Sequence, residues 1–141
     1  MHIPFRHLLF CFAVQLAVAA PAEKLTVSSK VESLGPKTGK LVLAFKPDPQ
    51  YDFNRTPPFT VEVEPRAGIE WQAPKLSPKD GKPKAGSQYY GEILPVEFPY
   101  TLSAGAPIEA RAKVTYFYCS KKDGFCARET KPVLVTIRPG S

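Results

Sequence analysis

The stretch that decides the fold spans residues 108–138, Ile-Glu-Ala-Arg-Ala-Lys-Val-Thr-Tyr-Phe-Tyr-Cys-Ser-Lys-Lys-Asp-Gly-Phe-Cys-Ala-Arg-Glu-Thr-Lys-Pro-Val-Leu-Val-Thr-Ile-Arg. Ala110, Ala112, Val114, Tyr116 and Tyr118 alternate with Glu109, Arg111, Lys113, Thr115 and Phe117. A period of two belongs to a half-buried strand, so the first set should face the core. Cys119 continues the second set, on the opposite face from Tyr118 and near the strand end. The Asp123-Gly124 step supplies the reversal, and a second strand should return over 125–138. There Val133 and Val135 share one face and Leu134 and Thr136 the other, a pattern that leaves its register open.

Outward from this hairpin, short alternating runs at 24–32, 40–46, 59–64, 69–73 and 93–102 predict five more strands. No stretch outside the N-terminal segment has helical periodicity, and 16 prolines and 9 glycines break the chain at short intervals. Seven short strands with turn residues between them predict an all-β chain folded as a β-sandwich. Residues 75–86 hold Lys75, Lys79, Lys82 and Lys84 with two prolines, and are expected to form a mobile surface loop.

Residues 1–22 begin with a weakly basic stretch and continue in an apolar run, 8–20, too short to span a bilayer; they are expected to be a cleaved secretory signal. Ala20-Pro21-Ala22 fits a small-x-small cleavage site, and Ala17-Val18-Ala19 is the alternative. Cys11 would leave with the signal; Phe10 beside it is too bulky for a lipidation motif. What remains, 23–141, is the size of one domain with one modest core. The expected location is periplasmic or secreted, with no membrane span.

Cleavage would also remove His2, His7 and Met1, the only histidines and the only methionine. A chain without histidine has no Ser-His-Asp or Cys-His set, no histidine zinc site and no histidine-ligated haem or copper. Hydrolase chemistry would need a serine-lysine dyad or paired carboxylates. Asp48 and Asp52 are close in sequence, but Pro49 intervenes. Neither metal nor other cofactor is expected. The net charge of +6 is concentrated in the lysine loop, which lacks interleaved aromatics, so no nucleic-acid partner is expected. Asn54-Arg55-Thr56 matches a glycosylation sequon but is followed directly by Pro57. Trp71 is expected in the core.

Cys119 and Cys126 then face each other across the turn in an oxidising compartment, where a disulfide is the default. Opposed positions of an antiparallel hairpin are close enough to be bonded. So short a loop makes a weak staple, roughly 2.5 kcal/mol in the chain-entropy model. A bond near a hairpin tip is also open to thiolate attack. Lys121, Lys122 and Arg128 favour a thiolate, whereas Asp123 and Glu129 oppose one. The residues alone leave redox exchange and structural staple both open.

Tyr116, Cys119, the Asp123-Gly124 turn, Phe125, Cys126 and the run Glu129-Thr130-Lys131 together resemble the N-terminal periplasmic domain of the thiol:disulfide interchange protein DsbD. A weaker likeness covers 39–98: Tyr51 and Phe53 resemble an aromatic pair of the family, and Tyr89-Tyr90 with Leu94-Pro95-Val96 resembles the strand after its cap loop. The resemblance implies an immunoglobulin-like sandwich of about seven strands. It implies a Cys119–Cys126 pair that passes electrons from a thioredoxin-like donor to periplasmic partners through a mixed disulfide. Tyr51, Phe53, Asp80, Tyr89, Tyr90 and Phe125 become the expected surroundings of that pair. This chain has six residues between its cysteines where well-known members have five. Its counterpart of the cap loop, around 79–84, carries Asp80 but no aromatic to shield the disulfide. The alternative is a non-catalytic binding or accessory module in which the disulfide is structural.

Overall fold

The computed structural model describes residues 23–140; the expected signal segment lies outside the described residues. Where the alternation is strongest, the strands are longest. β8 (Ile108–Ser120) buries Ala110, Ala112, Val114, Tyr116 and Tyr118 and turns the intervening residues outward. β9 (Cys126–Ile137) runs back along it in register from Ile108↔Ile137 to Cys119↔Cys126. The register left open by the β9 sequence is settled by burial: Val135 and Ile137 point into the core, and Leu134 is 60% exposed.

β8 is the centre of one sheet. β9 lines one of its edges, and the other is shared end to end by β3 (Tyr51–Phe53) and β4 (Thr60–Val63), with β6 (Lys75–Leu76) outside β4. The second sheet has the order β1 (Leu25–Ser33), β2 (Thr38–Pro47), β7 (Val96–Leu102), β5 (Ile69–Trp71). Every pairing is antiparallel. The two sheets enclose a single core to which Leu41, Leu43 and Phe98 contribute from one side and Val61, Val63, Val114 and Tyr116 from the other. The architecture is an immunoglobulin-like β-sandwich.

Aromatic rings hold the core together at the end that carries the cysteines. Phe59 is fully buried, edge-on to Phe45 at 5.0 Å and stacked on Tyr116 at 5.9 Å. Burying a side chain of this size contributes about 1.5–3 kcal/mol. Trp71 is partly buried, edge-on to Phe98 and Tyr100.

The described residues form nine strands rather than seven. The two additional ones, β3 and β6, are three and two residues long, too short for a period-two pattern to register. β3 is separated from β4 by residues 54–59, which include Pro57-Pro58, and proline cannot donate to a ladder. The strand expected over 93–102 begins instead at Val96, with Pro95 before it and Ile93 held by a single bridge to Asp80. The lysine-rich stretch 75–86 is also tied down: its first two residues pair with β4, and beyond them Gly81 N–H donates to Glu92 O at 2.9 Å and Leu94 N–H to Lys79 O at 3.0 Å. Residues 79–94 therefore form a loop closed at its neck.

Candidate functional site

Cys119 and Cys126 are joined by a disulfide with an S–S distance of 2.01 Å and Cα atoms 4.0 Å apart. The neighbouring pair explains the short Cα separation. Ser120 N–H donates to Phe125 O at 2.8 Å, so Ser120 and Phe125 form a hydrogen-bonded pair and the cysteines the adjacent non-hydrogen-bonded pair, where side chains come closest.

The turn is built locally. Gly124 takes φ +70°, its N–H donates to Ser120 O at 3.0 Å, and Asp123 N–H donates to Ser120 Oγ at 3.1 Å. The left-handed backbone at Gly124 suits a residue without Cβ. The tip is also anchored from outside, since Lys121 N–H donates to Gln50 O at 3.0 Å and Lys121 Nζ to Pro49 O at 2.9 Å.

The two sulfurs have different surroundings. Cys126 is on the solvent side, whereas Cys119 is only 7% exposed although it lies on the outer face of its sheet. β3 lies beside it, and Asp52 is its register partner, with a carboxylate 3.5 Å from Lys121 Nζ. One residue beyond β3, Asn54 Oδ1 is 3.6 Å from Cys119 Sγ. The backbone of Asn54 is held on both sides: its N–H donates to Phe117 O at 2.9 Å, and its other edge bridges Tyr89. On β9, the Arg128 guanidinium lies 6.0 Å from the centre of the Phe117 ring.

Strand parity divides the expected surroundings between two faces. Tyr51, Phe53 and Phe125 are on the core side, away from the disulfide. Tyr51 is edge-on to Tyr118 at 5.6 Å, Phe53 is buried 5.5 Å from Tyr116, and Phe125, 47% exposed, is edge-on to Tyr118 at 6.2 Å. Tyr90 likewise turns inward, to 6.1 Å from Phe59, and its hydroxyl donates to Pro78 O at 3.2 Å. Tyr89, opposite Asn54, is the expected aromatic whose backbone position falls on the disulfide's side. A cleft of about 500 Å³ opens beyond β3, bordered by Tyr51, Asp52, Tyr90 and Lys121.

Asp80 closes the neck of the 79–94 loop. Its carboxylate accepts N–H groups from Lys82 at 2.9 Å, Gly91 at 3.0 Å and Glu92 at 3.0 Å, and Arg55 Nη1 is 3.9 Å away. Burial pushes this carboxyl up, but the three donors and Arg55 outweigh it and hold it below the ordinary carboxylate range. Arg55 also donates to Ser87 O, and Arg55 N–H to Gln88 O at 2.8 Å. The return leg of the loop is thereby laid along 53–55, with Asn54 between it and Cys119.

Among the described residues no cluster of three or more His, Cys, Asp or Glu side chains is arranged to hold a metal, and no helix is long and apolar enough to cross a membrane. The sequence marks Asn54 only through its sequon. Its contact with Cys119 spans 65 residues, and no local pattern signals it.

No protein-family model matches the chain, and no curated protein does. Among solved structures it is similar to the N-terminal domain of DsbD from Neisseria meningitidis in its reduced form, with 14% identity, 79% of this chain and 89% of that one covered, and a TM-score of 0.39. A disulfide at a hairpin tip, with one cysteine exposed and the other enclosed, can undergo thiol–disulfide exchange at the exposed one.

Proposed function

We propose that the chain is an exported thiol–disulfide exchange domain whose Cys119–Cys126 pair passes electrons between a thioredoxin-like donor and further partners through a mixed disulfide. A donor thiolate attacks Cys126 Sγ, the S–S bond breaks, and Cys119 leaves as a thiolate. The donor's second thiolate then attacks its own sulfur in the mixed disulfide and releases Cys126. Two electrons have moved: the donor ends as a disulfide and this domain as a dithiol, which can reduce the next partner by the reverse steps.

The observation that carries this reading is the asymmetry of the pair. Attack along the S–S axis needs an accessible sulfur and a leaving thiolate on the far side, and exposed Cys126 with enclosed Cys119 meets both needs. The anchoring of the tip points the same way. Lys121, Ser120 and Asp123 hold the turn through bonds that do not involve sulfur, so the disulfide has little left to staple.

The test is a redox titration against glutathione, or dithiothreitol at the low end. A midpoint above about −300 mV, in the exchange range, is expected. A pair that stays oxidised well below that value makes the disulfide structural and the chain an accessory module.

A further inference from the structure

Exchange at Cys126 creates a thiolate on Cys119 in a nearly enclosed position, and what receives that charge governs how readily the bond opens. The charged groups facing Cys119 are already engaged. Asp52, its register partner, brings a carboxylate and opposes a second negative charge; Lys121 is committed to Asp52 and to Pro49 O; Arg128 lies over Phe117. The remaining polar neighbour is the Asn54 amide, 3.6 Å from the sulfur and, among the described residues, without another side-chain hydrogen bond. In the disulfide neither sulfur carries a proton, so this contact is not a hydrogen bond.

We propose that Asn54 stabilises the leaving group of the exchange: its side-chain amide turns to donate N–H to the Cys119 thiolate as that sulfur leaves. This inference rests on the exchange reading above. A half-turn about the terminal torsion replaces Oδ1 with Nδ2, a donor, without moving the backbone. The backbone itself is fixed between β8 and the return leg of the 79–94 loop by Asn54 N–H to Phe117 O, Arg55 N–H to Gln88 O and Tyr90 N–H to Phe53 O, at 2.8–2.9 Å. A donor on a backbone hydrogen-bonded on both sides, beside a leaving group, stabilises the charge that develops there at little reorganisation cost. No proton or electron moves through Asn54. Its role is confined to the energy of the thiolate.

The test is a titration of the Cys119 thiol in a Cys126→Ser background, followed by the 13Cβ shift of labelled cysteine, in parent, Asn54→Asp and Asn54→Leu chains. Asn54→Asp, nearly isosteric, exchanges a donor for a negative charge and should raise the thiol pKa by about one unit, a tenfold smaller thiolate fraction near neutral pH. Asn54→Leu should raise it by a smaller amount. Identical titration curves in all three chains overturn the proposal. Should Asn54→Asp perturb the fold, the Asn54→Leu comparison alone decides. The titration uses no partner: unchanged curves sink the role of Asn54 even if exchange occurs, whereas shifted curves in a chain with a midpoint far below −300 mV would sink only the exchange reading.

Discussion

Cys119 and Cys126 are bonded register partners with Cα atoms 4.0 Å apart, yet Cys119 is nearly enclosed and Cys126 stands in solvent. The difference comes from the two edges of β8. On the Cys119 side β3 pairs with the strand and Asn54 lies against the sulfur, with Tyr89 bridged to Asn54 on its other edge, while β9, which carries Cys126, has no strand hydrogen-bonded to its far edge among the described residues.

This asymmetry predicts unequal trapping. A Cys119→Ser chain retains the open Cys126 thiol, which should attack a thioredoxin-like protein that lacks its resolving cysteine and carries its remaining cysteine as a thionitrobenzoate disulfide, forming the mixed disulfide and releasing thionitrobenzoate. Cys126→Ser, which retains the enclosed thiol, should form on the order of tenfold less. Non-reducing gels of the two variants give the comparison. Equal yields would contradict the assignment of Cys126 as the attacked sulfur.

Removing both sulfurs should be tolerated. The closed loop is short and the turn is held by Ser120, Asp123 and Lys121 independently, so Cys119→Ser with Cys126→Ser should cost about 2–3 kcal/mol in urea unfolding and leave the sandwich intact. A double variant that fails to fold would make the bond a structural requirement.

Asp80→Asn should loosen the 79–94 loop. An amide oxygen accepts the N–H groups of Lys82, Gly91 and Glu92 more weakly than a carboxylate and has no attraction for Arg55, so a loss of about 1–2 kcal/mol is expected. The native loop should respond to acid in the same direction. The folded-state carboxyl lies below its ordinary value of 3.8, so its contribution is fully present above that value and is lost as pH falls through the lower, folded one. Hydrogen exchange at Gly91 and Glu92 should speed up below about pH 4 in the parent, beyond the intrinsic change, and show no such step in Asp80→Asn.

Phe59→Ala should be among the costliest single changes. The ring is fully buried against Phe45, Tyr90 and Tyr116, at the end of the core that supports β3 and the 79–94 loop. A loss of about 3–5 kcal/mol is expected by thermal or urea unfolding. Less than about 1 kcal/mol would mean that the core at this end is not packed as described.

The period-two pattern of residues 108–118 determined by itself that β8 is a strand, which of its side chains are buried, and that Cys119 points outward. The Asp123-Gly124 step determined the turn, and the seven longer runs determined the all-β class. These are local properties: alternation along one strand is set by backbone geometry and is visible wherever enough residues repeat it. Only the tertiary structure decided which elements lie beside the sulfurs. Tyr51, Phe53 and Phe125, close to the cysteines in register, went to the core face because parity fixed their side. Asn54, marked in the sequence only by its sequon, came to rest against Cys119 because the chain breaks at Pro57-Pro58 and β3 pairs with the far end of β8. Contacts across 65 residues depend on how sheets assemble, and the packing that selects them leaves no period in the sequence.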